Sequence, residues 1–208
     1  MEFFEVVWQR KTVRDFEDKA ISGEILYKII AAGMQAPSNN HLKEWEFIVI
    51  QDREKKLELI QNIRELRNPV DIDQLLDEWK VTDPLQRSMY HEGIPKQQSM
   101  ILTAATVILP CFHVTSPLLK PTSLSDLNYF ASIWCCIENM LLAAAAEGIF
   151  GVTRIPFDEE TIMLKKSLSI PDGYEIPCYL ALGYPLAVAK RPKQIEYDLS
   201  KRIHVNHW

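Results

Sequence analysis

The stretch DLNYFASIWCCIENMLLAAAAEGIFGVTRIPF, Asp126–Phe157, decides how the rest of the chain is read. From Leu127 to Ala146 nearly every position is apolar, bulky in Phe130, Ile133, Trp134, Ile137, Met140 and Leu141 and small in the alanines that follow. A helix that is apolar around most of its circumference is expected in the middle of a fold. At about 100° per residue, Asn128, Ser132 and Asn139 fall within about 40° of one another, with Cys135 and Ala146 beside them. Such a stripe serves either a partner that needs hydrogen bonds (a ligand, a loop or a second subunit) or the backbone of neighbouring elements. Gly148 and Gly151 end the helix, where glycine accepts a left-handed turn and a close backbone neighbour. A membrane span is the competing reading. Asn128, Glu138, Asn139 and Glu147 interrupt the run and no basic flank follows, so a core helix is expected and no membrane partner.

The bulk numbers agree with a globular chain. At 208 residues with 47% hydrophobic composition there is material for one sizeable core, so residues 1–208 are read as a single domain. The net charge of −5 argues against nucleic acid, which rewards a broad basic face. The opening MEFFEVVWQR lacks the basic start and long apolar run of a signal peptide. Cys111, Cys135, Cys136 and Cys178 have no CxxC spacing, so neither a zinc site nor a disulfide framework is expected, and the compartment is read as reducing cytoplasm. His204 and His207 lack a third ligand nearby, so no metal is assigned. GxGxxG, GxxxxGK[ST] and GxSxG are all absent, which removes the signatures of Rossmann, P-loop and hydrolase-elbow sites.

Working outward from the central helix, Glu2–Gln9 reads as a short amphipathic helix with Phe3, Phe4, Val7 and Trp8 inward. It leads into Arg10-Lys11-Thr12-Val13-Arg14-Asp15-Phe16, where an extended backbone would point Arg10, Thr12 and Arg14 the same way. Two guanidiniums and a hydroxyl on one face can ligate a phosphate; a solvated charged strand end is the plainer alternative. Ser22 caps a helix that buries Ile25, Leu26, Ile29 and Ile30. Ala36–Glu44 is a polar loop rich in turn formers, feeding a strand over Trp45–Ile50. Glu54–Arg67 and Asp71–Lys80 read as helices, and residues between about 68 and 95 as a helical excursion that is either a lid or a cover for core. Strands are expected over Ala104–Pro110 and Pro177–Tyr184, a loop over Thr115–Ser123, and a helix capped by Asp158. The tail from about 188 to 208 is basic at Lys190, Arg191 and Lys193, and its Ile195, Tyr197, Leu199 and Trp208 imply that it packs on something.

Four of these stretches together resemble the FMN-dependent nitroreductase family. Arg10–Phe16 is similar to its R-[RH]-S-x-[RK]-x-F opening, and Ala36–Phe47 to its A-P-S-x-x-N-x-Q-P-W-x-F loop and strand. Asn139–Ala144 with Glu147-Gly148 resembles its buried helix and the turn behind the flavin. Ala181–Pro185, followed by Lys190-Arg191-Pro192, resembles its last strand and basic tail. The resemblance leaves Glu54–Ile101 poorly covered, and it departs at His41, Lys43 and Glu44, where the family pattern has Asn, Gln and Pro.

The resemblance implies an α+β fold, a mostly antiparallel sheet flanked by helices, in a homodimer with FMN at the interface. It implies that Arg10, Lys11 and Thr12 hold the FMN phosphate, that Arg14 reaches the ribityl chain or ring edge, and that Lys190 and Arg191 close from the C-terminal side. Pro37, Ser38, Asn39 and His41 would contribute from the other subunit. A backbone N–H near Thr153–Phe157 would meet flavin N5; Pro156 has none, leaving Ile155 or Arg154. No side chain is assigned as catalytic, because the flavin carries the chemistry. The implied activity is ping-pong hydride transfer from NAD(P)H, as co-substrate, to a nitroaromatic, quinone or similar small electron acceptor. Other flavin chemistry on the same scaffold, such as reductive dehalogenation or substrate oxidation, is the alternative, as is a non-catalytic FMN sensor or store.

Overall fold

The computed structural model describes residues 2–208. Its elements in chain order are α1 (Phe3–Gln9), α2 (Gly23–Gly33), β1 (Trp45–Ile50), α3 (Arg53–Ile60), α4 (Pro69–Glu78), α5 (Pro84–Gly93), α6 (Ser99–Thr103), β2 (Thr106–His113), α7 (Asn128–Ala146), β3 (Phe150–Arg154), α8 (Asp158–Ser167), β4 (Tyr174–Glu175) and β5 (Tyr179–Gly183). The strands form one antiparallel sheet in the order β1-β2-β5-β3, with the short β4 also paired to β2. The fold is α+β, as expected.

Alternation along the inner strands explains the layering. On β2, Val107, Leu109 and Cys111 face a core shared with α3, α6 and α8, while Ile108 and Phe112 face a second core shared with α2 and α7. On β5, Tyr179 and Ala181 take the first side and Leu180 and Leu182 the second. Val107, Ile108 and Leu109 are fully buried, which is why the sequence shows a continuous apolar run there rather than an alternating one. At Gly33, a Cβ would lie 2.6 Å from Met140 Cγ and 2.9 Å from Cys136 Sγ, so the missing side chain lets α2 and α7 cross closely. Gly148 ends α7 with φ of +72°, a conformation that costs other residues strain.

Several expectations are corrected. Within one protomer α7 buries one face only (Ile133, Cys136, Ile137, Met140, Ala144 and Ala145), while Ala131 and Cys135 are exposed. That buried face, packed on α2 and β2, still marks a core helix despite a length and hydropathy sufficient to cross a membrane. The stripe serves neighbouring backbone: Ser132 Oγ accepts the Asn39 N–H at 2.9 Å, and Asn139 Nδ2 donates to the Ala32 carbonyl of α2 at 3.3 Å. In α1 the facing is reversed. Val6 is buried, whereas Phe3, Phe4, Val7 and Trp8 are exposed, because α1 is a helix of about two turns lying at the rim against α7, with only Val6 turned inward.

The third helix ends at Ile60, not Arg67. The buried Ile63 and Leu66 that prolonged the pattern belong to an irregular turn. Residues 84–93, inside the expected helical excursion, form the regular helix α5 with Asp83 as its cap. Strand β2 is shifted toward His113, and Asp158 is the first residue of α8 rather than its cap. The tail's Ile195, Tyr197, Leu199 and Trp208 are exposed on the single protomer, whereas its start packs, with Ala189 against the core and Arg191 over Phe150.

Candidate functional site

The segment leaving α1 runs beside β3 and extends the sheet edge. Thr12 forms a parallel bridge with Gly151, and the Val13 N–H donates to the Gly151 carbonyl at 3.1 Å. Val13 is fully buried, which turns its neighbours Thr12 and Arg14 to the other side, half-buried. The cations gather through shared neighbours. Arg14 lies against Gly93, where a Cβ would be 3.2 Å from the guanidinium carbon. Lys190 Nζ is 3.9 Å from the Glu92 carboxylate, and Lys96 spans Asp15 at 2.7 Å and Glu92 at 3.8 Å. Arg191 sits 5.1 Å over the Phe150 ring, and Arg10 Nε lies 3.2 Å from Glu138 of α7. Lys11 is half-buried between Arg10 and Thr12.

Arg14 opens onto a cavity of about 340 Å³ between the exit of β3 and helices α4 and α5, shared with Trp79, Tyr90, Gln97, Ile155 and Phe157. Trp79 stands at 5.7 Å from the Tyr90 ring and 6.5 Å from that of Phe157, forming an aromatic wall. Among the described residues Arg14 has neither an ion pair nor a side-chain hydrogen bond. Burial pulls its pKa down while Glu92 and Asp15 pull it back up, and a guanidinium stays charged throughout. Among the described residues the Ile155 N–H is likewise without an acceptor. A partly desolvated cation, a free backbone donor and flat apolar walls suit a planar ligand carrying negative charge.

A buried polar group underlies this cavity. Arg154 and Glu160, 6% and 3% exposed, pair at 2.6 Å. Tyr179 donates its hydroxyl to the same carboxylate, and Arg154 Nε donates to Gln97 Oε1 at 3.0 Å. Sequence reading missed this group. Arg154 and Glu160 are separated by a turn and Tyr179 lies on another strand, so no periodicity joins them.

Pro37, Ser38, Asn39 and His41 lie elsewhere. Ser38 Oγ accepts the Lys43 N–H at 3.1 Å, Asn39 is held by Ser132, and Pro37 and His41 are exposed. Asn40, His41 and Lys43 all have positive φ, so the loop is held in a conformation non-glycine residues seldom adopt. Trp45, which follows the loop, pairs with Phe112 at one end of β2, whereas Gly151, beside Thr12, meets Leu182, which pairs with Thr106 at the other end. The two groups therefore sit at opposite edges and opposite ends of the sheet. Along α7, Ser132 near the first turns and Ala145 in the last are about 20 Å apart at 1.5 Å per residue. One protomer brings together Arg10, Lys11, Thr12, Arg14, Ile155, Lys190 and Arg191; it does not bring Pro37, Ser38, Asn39 and His41 to them.

Comparison with known proteins places this geometry. The model of the Nitroreductase family matches residues 7–184. A protein of Archaeoglobus fulgidus, provisionally named NADH dehydrogenase/NAD(P)H nitroreductase, is 26% identical over all of this chain and 99% of its own. Iodotyrosine deiodinase of Nematostella vectensis is 24% identical over 92% of this chain and 70% of its own. Among solved structures, oxidised iodotyrosine deiodinase bound to FMN and 3-iodo-L-tyrosine superposes with a TM-score of 0.74 at 19% identity, covering all of both chains. With the sheet order, the cation corner at β3 and a family match that runs from α1 to the end of β5, the chain belongs to the nitroreductase family.

Proposed function

We propose that the protein is an FMN-dependent oxidoreductase that works as a homodimer and passes electrons from NAD(P)H to a nitroaromatic, quinone or similar small acceptor. The observation that carries the reading is Arg14, a half-buried guanidinium that has no partner among the described residues and lines the cavity beside the Ile155 N–H, which has no acceptor among them either. These residues fit FMN. Arg10, Lys11, Thr12, Lys190 and Arg191 offer donors for a phosphate, and Arg14 offers a fixed positive charge beside a flat ring. Bound FMN would supply two-electron chemistry, taking hydride from NAD(P)H and giving it to the acceptor in a ping-pong cycle. The chain's own groups orient the cofactor, exclude water with Trp79, Tyr90 and Phe157, and hold charge where it accumulates. No side chain is asked to act as a general base.

The homodimer follows from the two corners. If the loop of Pro37, Ser38, Asn39 and His41 serves the same site as Arg14, it must come from a second copy. Three apolar surfaces left open in one protomer support this: the outer side of α1 with Phe3, Phe4 and Trp8, the outer side of α7, and the tail. The aromatic wall beside Arg14 and the deiodinase relatives favour a second reading, reductive dehalogenation of an aromatic substrate. The test is a visible spectrum of the purified protein, repeated anaerobically after NADH and then NADPH. A flavin band that bleaches supports the oxidoreductase reading and ranks the donors; a protein that takes up no added FMN ends it. Offering the reduced protein a nitroaromatic and a halophenol separates the two chemistries.

A further inference from the structure

The Arg154–Glu160 pair is buried where apolar residues would cost less, since both charges surrender hydration on leaving water. What it holds is the exit of β3. Arg154 is the last residue of that strand and Glu160 lies in the first turn of α8, so the pair spans Ile155-Pro156-Phe157. Besides meeting Arg154 Nη1 through one oxygen, Glu160 uses the other to accept the Phe157 N–H at 3.4 Å. One carboxylate thus fastens both ends of the turn, and Pro156 fixes φ between them. Tyr179, paired with Arg154 across the β3–β5 ladder, donates its hydroxyl to the same carboxylate. Burial, then the bond to Glu160, push its phenol far above the ordinary range, so it remains a donor. Arg154 also reaches Gln97, which follows α5 and lines the opposite wall.

Resting on the FMN reading above, we propose that Arg154, locked by Glu160, is a positioning residue: it holds the Ile155 N–H toward the cavity and sets the Gln97 wall at a fixed distance from it. Through these two groups the pair acts on the cavity, at whose base Arg154 lies. Its cost in hydration is returned as a turn already arranged before FMN arrives.

The test uses the full chain with Arg154→Met and Glu160→Leu combined, a replacement that removes both charges and leaves neither unpaired. The expected result is a folded protein whose denaturant midpoint falls modestly, because the buried Tyr179 hydroxyl loses its acceptor, with an FMN dissociation constant raised about tenfold, the scale of one lost hydrogen bond. In the cofactor-free protein, amide exchange should quicken in residues 154–157 and stay unchanged in α7. A folded double variant with wild-type FMN affinity and wild-type exchange in the turn overturns the proposal. If the double variant does not fold, Glu160→Gln, which keeps the shape and loses the charge, decides on the same two readouts. Because exchange is read without cofactor, a wild-type protein that binds no FMN defeats the oxidoreductase reading while leaving the positioning role to stand or fall on its own.

Discussion

The sheet with α7 and the helical pair α4–α5 are built by different means. The first is held by large side chains with no exposure, Ile133, Ile137 and Met140 on α7 against Ile108, Leu180 and their neighbours. The second has a small core of its own (Leu66, Ile72, Leu76, Val81 and Ile94), and much of the rest of its joining is polar. Arg87 ties Asp73 at 2.7 Å to Asp77 at 2.8 Å, and His91 meets Asp73 at 2.9 Å. A large apolar core opens only with the whole domain, whereas a satellite core with exposed ion pairs opens locally and at lower cost. The cavity lies at the seam between the two, with Arg14 on the firm side and Trp79 and Tyr90 on the looser one.

Substitutions on the two sides test that difference. Ile137→Ala on α7 should lower global stability by about 2–5 kcal/mol, seen as a displaced urea midpoint. At the seam, Arg14→Ala removes a charged donor facing the cavity, and FMN retention should fall by about 10–100-fold, at roughly 1.5–3 kcal/mol for such a bond. A fluorescence titration measures it. Leu76→Ala deletes an equally buried side chain, yet it should accelerate amide exchange in residues 69–93 and move the global midpoint by less than about 1 kcal/mol. Equal shifts for Ile137→Ala and Leu76→Ala would show one cooperative unit instead of two.

The smallest effect is expected from acid. Hydrogen bonds from His91 and then Arg87 hold the Asp73 carboxyl below its ordinary range. A depressed carboxyl lends stability that is fully present above its unfolded value and lost as pH falls through the folded one. Proteolysis within residues 69–93 should therefore rise only below about pH 4, the ordinary aspartate range. Its screened surroundings keep the change small.

Where burial follows a period, the chain was legible. Trp45–Ile50 is β1 to the residue, and Val107–Leu109 lie in the inner strand that their unbroken apolar run implied. Ile63 and Leu66 carried a burial signal that a helix and an irregular turn share, so α3 was drawn too long. The facing of α1 was misjudged because apolar residues mark surfaces that meet something, without saying whether it is the same protomer. At the site, Arg14 could be singled out from its spacing with Arg10 and Thr12. Nothing in the spacing of Trp79, Tyr90 and Gln97 points to the cavity, since they reach it through the packing of α4 and α5.

The separation of the two corners has a genetic meaning. If the proposed homodimer shares its site, then with Arg14 at one end of the sheet and Asn39 at the other, each site takes its halves from different polypeptides. Alleles damaged at Arg14 and at Asn39 would each be inactive alone, since a pair of identical chains carries the lesion in both sites. Expressed together they would complement, because a mixed pair assembles one site from its two undamaged halves and gathers both lesions in the other.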